Sequence, residues 1–232
     1  MNLRKVTLRY LGWCPGLDSA ARFIPDRNIV GANHLRSGFQ IALSKPILFV
    51  PALLAILFDT LFWVITPSEG VIYPQFTYSM SLFALLYIPY IVVFTFLNFI
   101  GIDMSRDAYL DTPLSPGGSS RYVLRRIGTF VAAMLIGLFL MMTIVLIPVA
   151  NLMFLIIVIE ETGIRSSVSK ALSVCRENLG DIIVLCILSI APSWFLVHLP
   201  NISRLVTSAL GVVINLAFID LYFSTKDPEL TP

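Results

Sequence analysis

The chain has 232 residues, 57% hydrophobic and 13% charged, with a mean hydropathy of +0.85 and a formal net charge of +2. Soluble domains carry roughly 25% charge, so this composition excludes an ordinary water-soluble globule and fits a polytopic membrane protein. With two histidines, and three cysteines that share no short metal or redox spacing, no histidine-based catalytic or metal site can be assembled; no cofactor and no nucleic-acid partner is expected.

The chain opens on a polar, basic tail, residues 1–30, beginning MNLRKVTLRYLGWCPG. No apolar core flanked by a cleavage site is present, so the first membrane span is expected to double as the insertion signal. Cys14 in GWCPG lacks both a second cysteine at C-x-x-C spacing and a nearby histidine, which argues against redox chemistry. Tyr10, Leu11, Trp13 and Phe23 are expected to dock this tail on the cytoplasmic face. Cys14, Cys175 and Cys186 are expected to be separate, reduced thiols.

A membrane helix needs about 20 mostly apolar residues. Ile47–Ile65, Leu82–Ile102, Ile182–Leu199 and Leu205–Phe223 qualify, and Ile127–Ile159 adds 33 residues without a charge. As one helix that stretch would run about 50 Å, against a hydrocarbon core of about 30 Å. As a hairpin it gives two legs of about 16 residues, each a little short. The cations favour the hairpin, because Lys and Arg concentrate on the cytoplasmic side. With six spans and both ends inside, fifteen of the 16 basic residues are cytoplasmic and only Arg204 is outside. A single span over 127–159 leaves a 12 to 4 split. The hairpin turn is expected between Met141 and Asn151.

Arg36–Ser44 (RSGFQIALS) and Arg165–Ser173 (RSSVSKALS) agree at Arg, Ser, Ala, Leu and Ser with an offset of 129. Leu35, Phe39, Ala42 and Leu43 correspond to Ile164, Val168, Ala171 and Leu172, one apolar stripe at helical spacing. Such helices, directly followed by spans, should lie in the cytoplasmic interface. Ser119–Ile127 (SSRYVLRRI) precedes the middle hairpin in the same way. The expected fold is therefore all-α: a six-helix transmembrane bundle over 31–224, built as three hairpins each preceded by a cytoplasmic-side amphipathic helix, with a short tail at 225–232.

Three stretches carry a resemblance to a known family: GFQIALSKPILFVPALL, NFIGIDMSRDAYLDTPLS and IVIEETGIRSSVSKALSVCRENLGDIIVL. Over most of Gly31–Phe223 the chain resembles a broad bacterial and archaeal group of six-span proteins related to the membrane domain fused to some glycerophosphodiester phosphodiesterases. The resemblance implies fold rather than chemistry, since the phosphodiesterase barrel has no counterpart here. Separately, YLGWCPGLDSAARFIPDR is similar to a short leader on some archaeal membrane proteins and implies an archaeal source.

Polar residues inside spans are the candidate sites. Asp59 should lie in the outer half of the first span, as a proton or cation site or as a structural hydrogen bond or ion pair, with Arg204 or His198 as candidate partners. Asn98, Asn151 and Asn215 are expected to bond between helices. Asp103 and Asp220 should sit near cytoplasmic span ends within reach of water, and Glu160 and Glu161 should favour the following helix through its dipole. Pro51, Pro89, Pro148 and Pro192 lie in or beside spans, where prolines kink helices. Trp63, Tyr73, Tyr78 and Trp194 fit an outer aromatic belt.

The expected function is non-catalytic: a protein of the cell membrane, both termini cytoplasmic, that organises lipids or partner proteins, as a homo-oligomer or as a subunit of a membrane complex. Anionic headgroups would be met by Arg36, Arg121, Arg125, Arg126, Arg165, Lys170 and Arg176. The alternative is a transporter or channel for a small or amphiphilic solute, with Asp59, Asn98 and Asn215 as its intramembrane polar groups. A lipid enzyme ranks third, for want of an acid, base or metal constellation.

Overall fold

The structure, a computed structural model, describes residues 30–65, 80–195 and 200–226. The tail, Tyr73, Tyr78 and His198 lie outside the described residues, as do the side chains of Trp63 and Trp194. Among the described residues every regular element is helical: α1 Val30–Ser44, α2 Phe49–Ile65, α3 Met80–Tyr109, α4 Pro116–Arg125, α5 Ile127–Met141, α6 Ile147–Ile159, α7 Ile164–Glu177, α8 Leu179–Phe195 and α9 Pro200–Lys226, with 3-10 turns at Pro46–Leu48 and Ile144–Leu146.

Three short, polar-faced helices each hand over to an apolar one through a break, and each break has a local cause. Pro46 supplies no N–H and disfavours helical geometry at Lys45, and the chain bends by 100° between Gly31–Ser44 and Pro46–Phe62. Ser115 caps α4, its hydroxyl accepting from the Gly118 N–H at 3.1 Å beside Pro116 in the first turn. Arg126 then leaves helical geometry, and α4 and α5 meet at 80°. Asn178 alone separates α7 from α8; its amide donates to the Val174 carbonyl at 3.1 Å and to Thr225 Oγ1 at 2.9 Å.

Contacts between distant residues give the bundle two ends. Lys45 donates to the Ala108 carbonyl and to Asp111 Oδ1, both at 2.9 Å, so α2 begins where α3 finishes. The Tyr109 hydroxyl donates to Asp220 Oδ1 at 2.8 Å, which puts the C-terminal part of α9 at that same end. Arg126 Nη2 donates to the Glu161 carbonyl at 3.1 Å, so α6 closes where α5 opened. These legs therefore double back, with their turn at 142–146, inside the expected window. At 1.5 Å per residue α5 and α6 measure about 22 and about 20 Å. The α1, α4 and α7 helices gather at this connector end; Asp59 of α2, Tyr90 of α3 and Arg204 of α9 mark the opposite one.

The core centres on α6. Val149, Ala150 and every residue from Leu152 to Val158 are buried, wrapped by α3, α5, α7, α8 and α9. Its all-round apolarity is that of a helix with no outward face. Phe99 stacks on Phe130 at 4.2 Å and meets Phe154 edge-on at 5.6 Å, tying α3, α5 and α6 together. Elsewhere apolar side chains face outward, among them Leu53, Leu57, Leu61, Leu85, Ile88, Phe139 and Ile187. Such a surface is far too apolar for water. Among the described residues Leu85–Tyr109 and Ser203–Lys226 are each long and apolar enough to cross a membrane, and taking each bent pair as one span raises the number to four.

Several expected details change. Pro51 and Pro148 fall in the first turns of α2 and α6, where the lost N–H has no intrahelical partner to lose; only Pro89 and Pro192 lie deeper within helices. Asp103 is 2% exposed, not water-accessible. On α1 the face toward the bundle is Gly31, His34, Gly38 and Ala42, whereas Phe39 and Leu43 of the expected apolar stripe point outward. Gly38 is why: a Cβ there would stand 2.6 Å from the Val213 carbonyl oxygen, so α1 reaches the α9 backbone through its smallest residues.

Candidate functional site

The connector end is held by three polar clusters that join helix ends. Glu160, at the end of α6, accepts from Lys170 of α7 and from the Tyr222 hydroxyl, and from Lys226 Nζ at 2.9 Å. Burial opposes its ionisation, but the bonds from Lys170, Tyr222 and Lys226 outweigh burial and hold the carboxyl down at about 2. Glu160 is thus an ionic clasp between α6, α7 and α9 rather than a dipole partner for α7; Glu161, at φ 54, ends the α6 segment in the left-handed region.

Arg106 forms the second cluster. It contacts Asp103 Oδ1 and Asp107 Oδ1 at 2.8 Å each and donates to the Val158 carbonyl at 3.2 Å, coupling α3 to α6. The third is Asp220, which accepts from Tyr109 and from His34 Nδ1, each at 2.8 Å, and so pins α1 and α3 to α9. Each bond of this kind to a charged group contributes about 1.5–3 kcal/mol.

Of the seven expected headgroup cations, two are engaged internally. Arg126 donates to the Tyr122 hydroxyl at 3.0 Å and to the Glu161 and Thr162 carbonyls, and lies over the rings of Tyr122 and Phe130. Lys170 pairs with Glu160. A cation beside a span is drawn to bare helix-end carbonyls and carboxylates as strongly as to lipid, and Lys170 stays 45% exposed beside its partner. The other five, Arg36, Arg121, Arg125, Arg165 and Arg176, are exposed. Large apolar side chains are exposed on the same helix faces: Phe39 and Leu43 follow Arg36 by three and seven residues, Leu124 follows Arg121 by three, and Leu172 follows Arg165 by seven.

At the opposite end Asp59 accepts from the Tyr90 hydroxyl at 2.8 Å, and Arg204 Nη1 lies 3.9 Å from its other oxygen. The expected ion pair with Arg204 is present; Tyr90 was not foreseen, although a tyrosine inside a span signals a hydroxyl that needs a partner. Tyr90 is set in an aromatic ladder with Phe62 at 4.2 Å, Tyr87 at 5.4 Å and Phe94 at 5.7 Å. Asp59 and Asn98 border the same cavity between α2, α3 and α9; Asn215 is half-buried on α9 and is not part of that lining. Asn98 turns its amide onto its own helix, donating to the Phe94 carbonyl at 2.8 Å, and does not bridge helices as expected.

Among the described residues no group of three or more His, Cys, Asp or Glu is placed to hold a metal ion. Cys175 and Cys186 are free thiols, as expected; Cys14 lies outside the described residues. No family model, curated protein or solved structure matches the chain.

Proposed function

We propose that this chain is a six-pass, non-catalytic protein of the cell membrane that binds anionic lipid headgroups through α1, α4 and α7, both termini being cytoplasmic. The observation that carries the reading is the recurrence, on all three connector helices, of an exposed arginine with a large apolar side chain exposed on the same face. A helix so built lies in the interface, its Phe or Leu in the acyl boundary and its guanidinium among phosphates. Each such cation contributes about 1 kcal/mol at an anionic surface. The six passes are the apolar helices α2, α3, α5, α6, α8 and α9. The short α5–α6 hairpin is accommodated because α6 is enclosed by protein and does not itself have to match the bilayer thickness. The threefold succession of basic helix and hairpin also fits the proposed kinship with the six-span family.

Replacing Arg36, Arg121, Arg125, Arg165 and Arg176 with glutamine should lower the affinity of the detergent-solubilised protein for phosphatidylglycerol more than ten-fold and flatten its salt dependence. Lipid-induced thermal stabilisation at low and high NaCl measures both. Unchanged stabilisation in the variant defeats the headgroup role.

Orientation has its own test. Cys175 is buried, and burial, with Cys186 nearby adding to it, pushes its thiol up to about 11, so it reports poorly on sidedness. In a background without Cys14, Cys175 and Cys186, the exposed Ser173→Cys should react with an impermeant maleimide only in inverted vesicles. Labelling on intact cells would place α7 outside and reverse the topology.

A further inference from the structure

A cavity of about 540 Å³ opens between α2, α3 and α9, remote from the basic helices and within the usual range of ligand sites. Its walls include small and apolar residues, Ala52, Ala55, Ile56, Leu97 and Val212, and one stretch of wall is bare backbone at Gly211, where an added Cβ would meet nothing within 4 Å. Among the described residues its polar edge carries one charge of each sign, Asp59 and Arg204. Arg204 approaches Asp59 only to 3.9 Å, too far for a hydrogen bond. No hydrogen bond from Arg204 to a described residue occupies its remaining donors, and its side chain is 44% exposed. Asp59 accepts from the Tyr90 hydroxyl at 2.8 Å and places its negative charge on the same cavity wall. A free anion would meet repulsion from Asp59, and a free cation from Arg204. A head bearing both charges meets attraction from each, with its apolar chain along Ala55, Leu97 and Val212.

We infer that this cavity binds one zwitterionic amphiphile, its phosphate on Arg204, its ammonium at Asp59 and one acyl chain between α2, α3 and α9. The site lies at the end of the bundle away from the headgroup-binding helices and stands independently of them.

Native mass spectrometry of the full chain in a maltoside detergent tests it, with lysophosphatidylethanolamine as the probe. One equivalent should bind, at least ten-fold tighter than lysophosphatidylglycerol, which lacks the ammonium, and far tighter than phosphoethanolamine, which lacks the chain. Gly211→Leu fills the cavity from a position with open space, and the change favours the helix; it should weaken the probe at least ten-fold without lowering the melting temperature. Arg204→Gln, at a side chain too exposed to govern folding, should weaken it to a similar degree. The variant lacking Arg36, Arg121, Arg125, Arg165 and Arg176 should bind the probe as the parent does. Binding unaffected by either Gly211→Leu or Arg204→Gln, equal affinity for lysophosphatidylglycerol, or equal affinity for phosphoethanolamine would each overturn the assignment.

Discussion

Gly38→Val should be the most damaging single change in the α1 helix, costing roughly 3 kcal/mol. The added Cβ would stand 2.6 Å from the Val213 carbonyl oxygen and 3.0 Å from the Ala217 amide nitrogen. Both are backbone atoms of α9, which cannot rotate away as a side chain can, so α1 must lift off. Lifting it also stretches the 2.8 Å bond between His34 and Asp220. Gly128→Ala provides the contrast: a Cβ there meets nothing within 4 Å, and the exchange removes the glycine penalty of about 1 kcal/mol in a helix. Thermal melting in detergent should therefore fall sharply for Gly38→Val and hold or rise for Gly128→Ala. Equal melting of Gly38→Val and the parent would show that α1 does not press on α9 as described.

Glu160→Gln should cost about 2 kcal/mol at neutral pH. The side chain is 11% exposed and receives Lys170, Lys226 and the Tyr222 hydroxyl. A neutral amide leaves two ammonium groups without their carboxylate, although both lysines are exposed enough that water recovers part of the loss. The pH dependence has a definite sign. The carboxyl is held at about 2 in the fold against an ordinary 4.5, so its stabilisation is fully present above about 4.5 and is lost as pH falls through about 2. The difference in melting temperature between parent and Glu160→Gln should be constant from pH 7 to 5 and shrink steadily below that. A difference that stayed the same down to pH 2 would mean that the charge of Glu160 is not what holds α6, α7 and α9 together.

The two clusters differ in how far they can be read from the chain. Asp59 and Arg204 are conspicuous because each is a lone charge in an apolar stretch, and pairing them needs only the knowledge that the end of α2 meets the start of α9. Glu160 gives no such signal. It follows an apolar run and precedes an amphipathic helix, where a carboxylate is routine, and its partners lie ten and 66 residues away. Arg126 and Lys170 show the same limit from the other side: both read as lipid-facing cations, and both also bind protein groups, because uncapped carbonyls or a carboxylate are within reach, with Lys170 still 45% exposed.

Sequence alone established the helical class, the apolar segments, the short basic helices ahead of three of them, and the turn between α5 and α6. These follow from hydropathy, charge and proline, which act over a few residues and survive in any arrangement. Tertiary structure alone decided that α6 would be enclosed by protein, that the inner face of α1 would be Gly31, His34, Gly38 and Ala42, and that a cavity would open beside Asp59. Those depend on which helices become neighbours. A run of leucine and isoleucine costs nothing whether it meets lipid or another helix, so hydropathy is silent on the choice, and only the close fit of one backbone against another settles it.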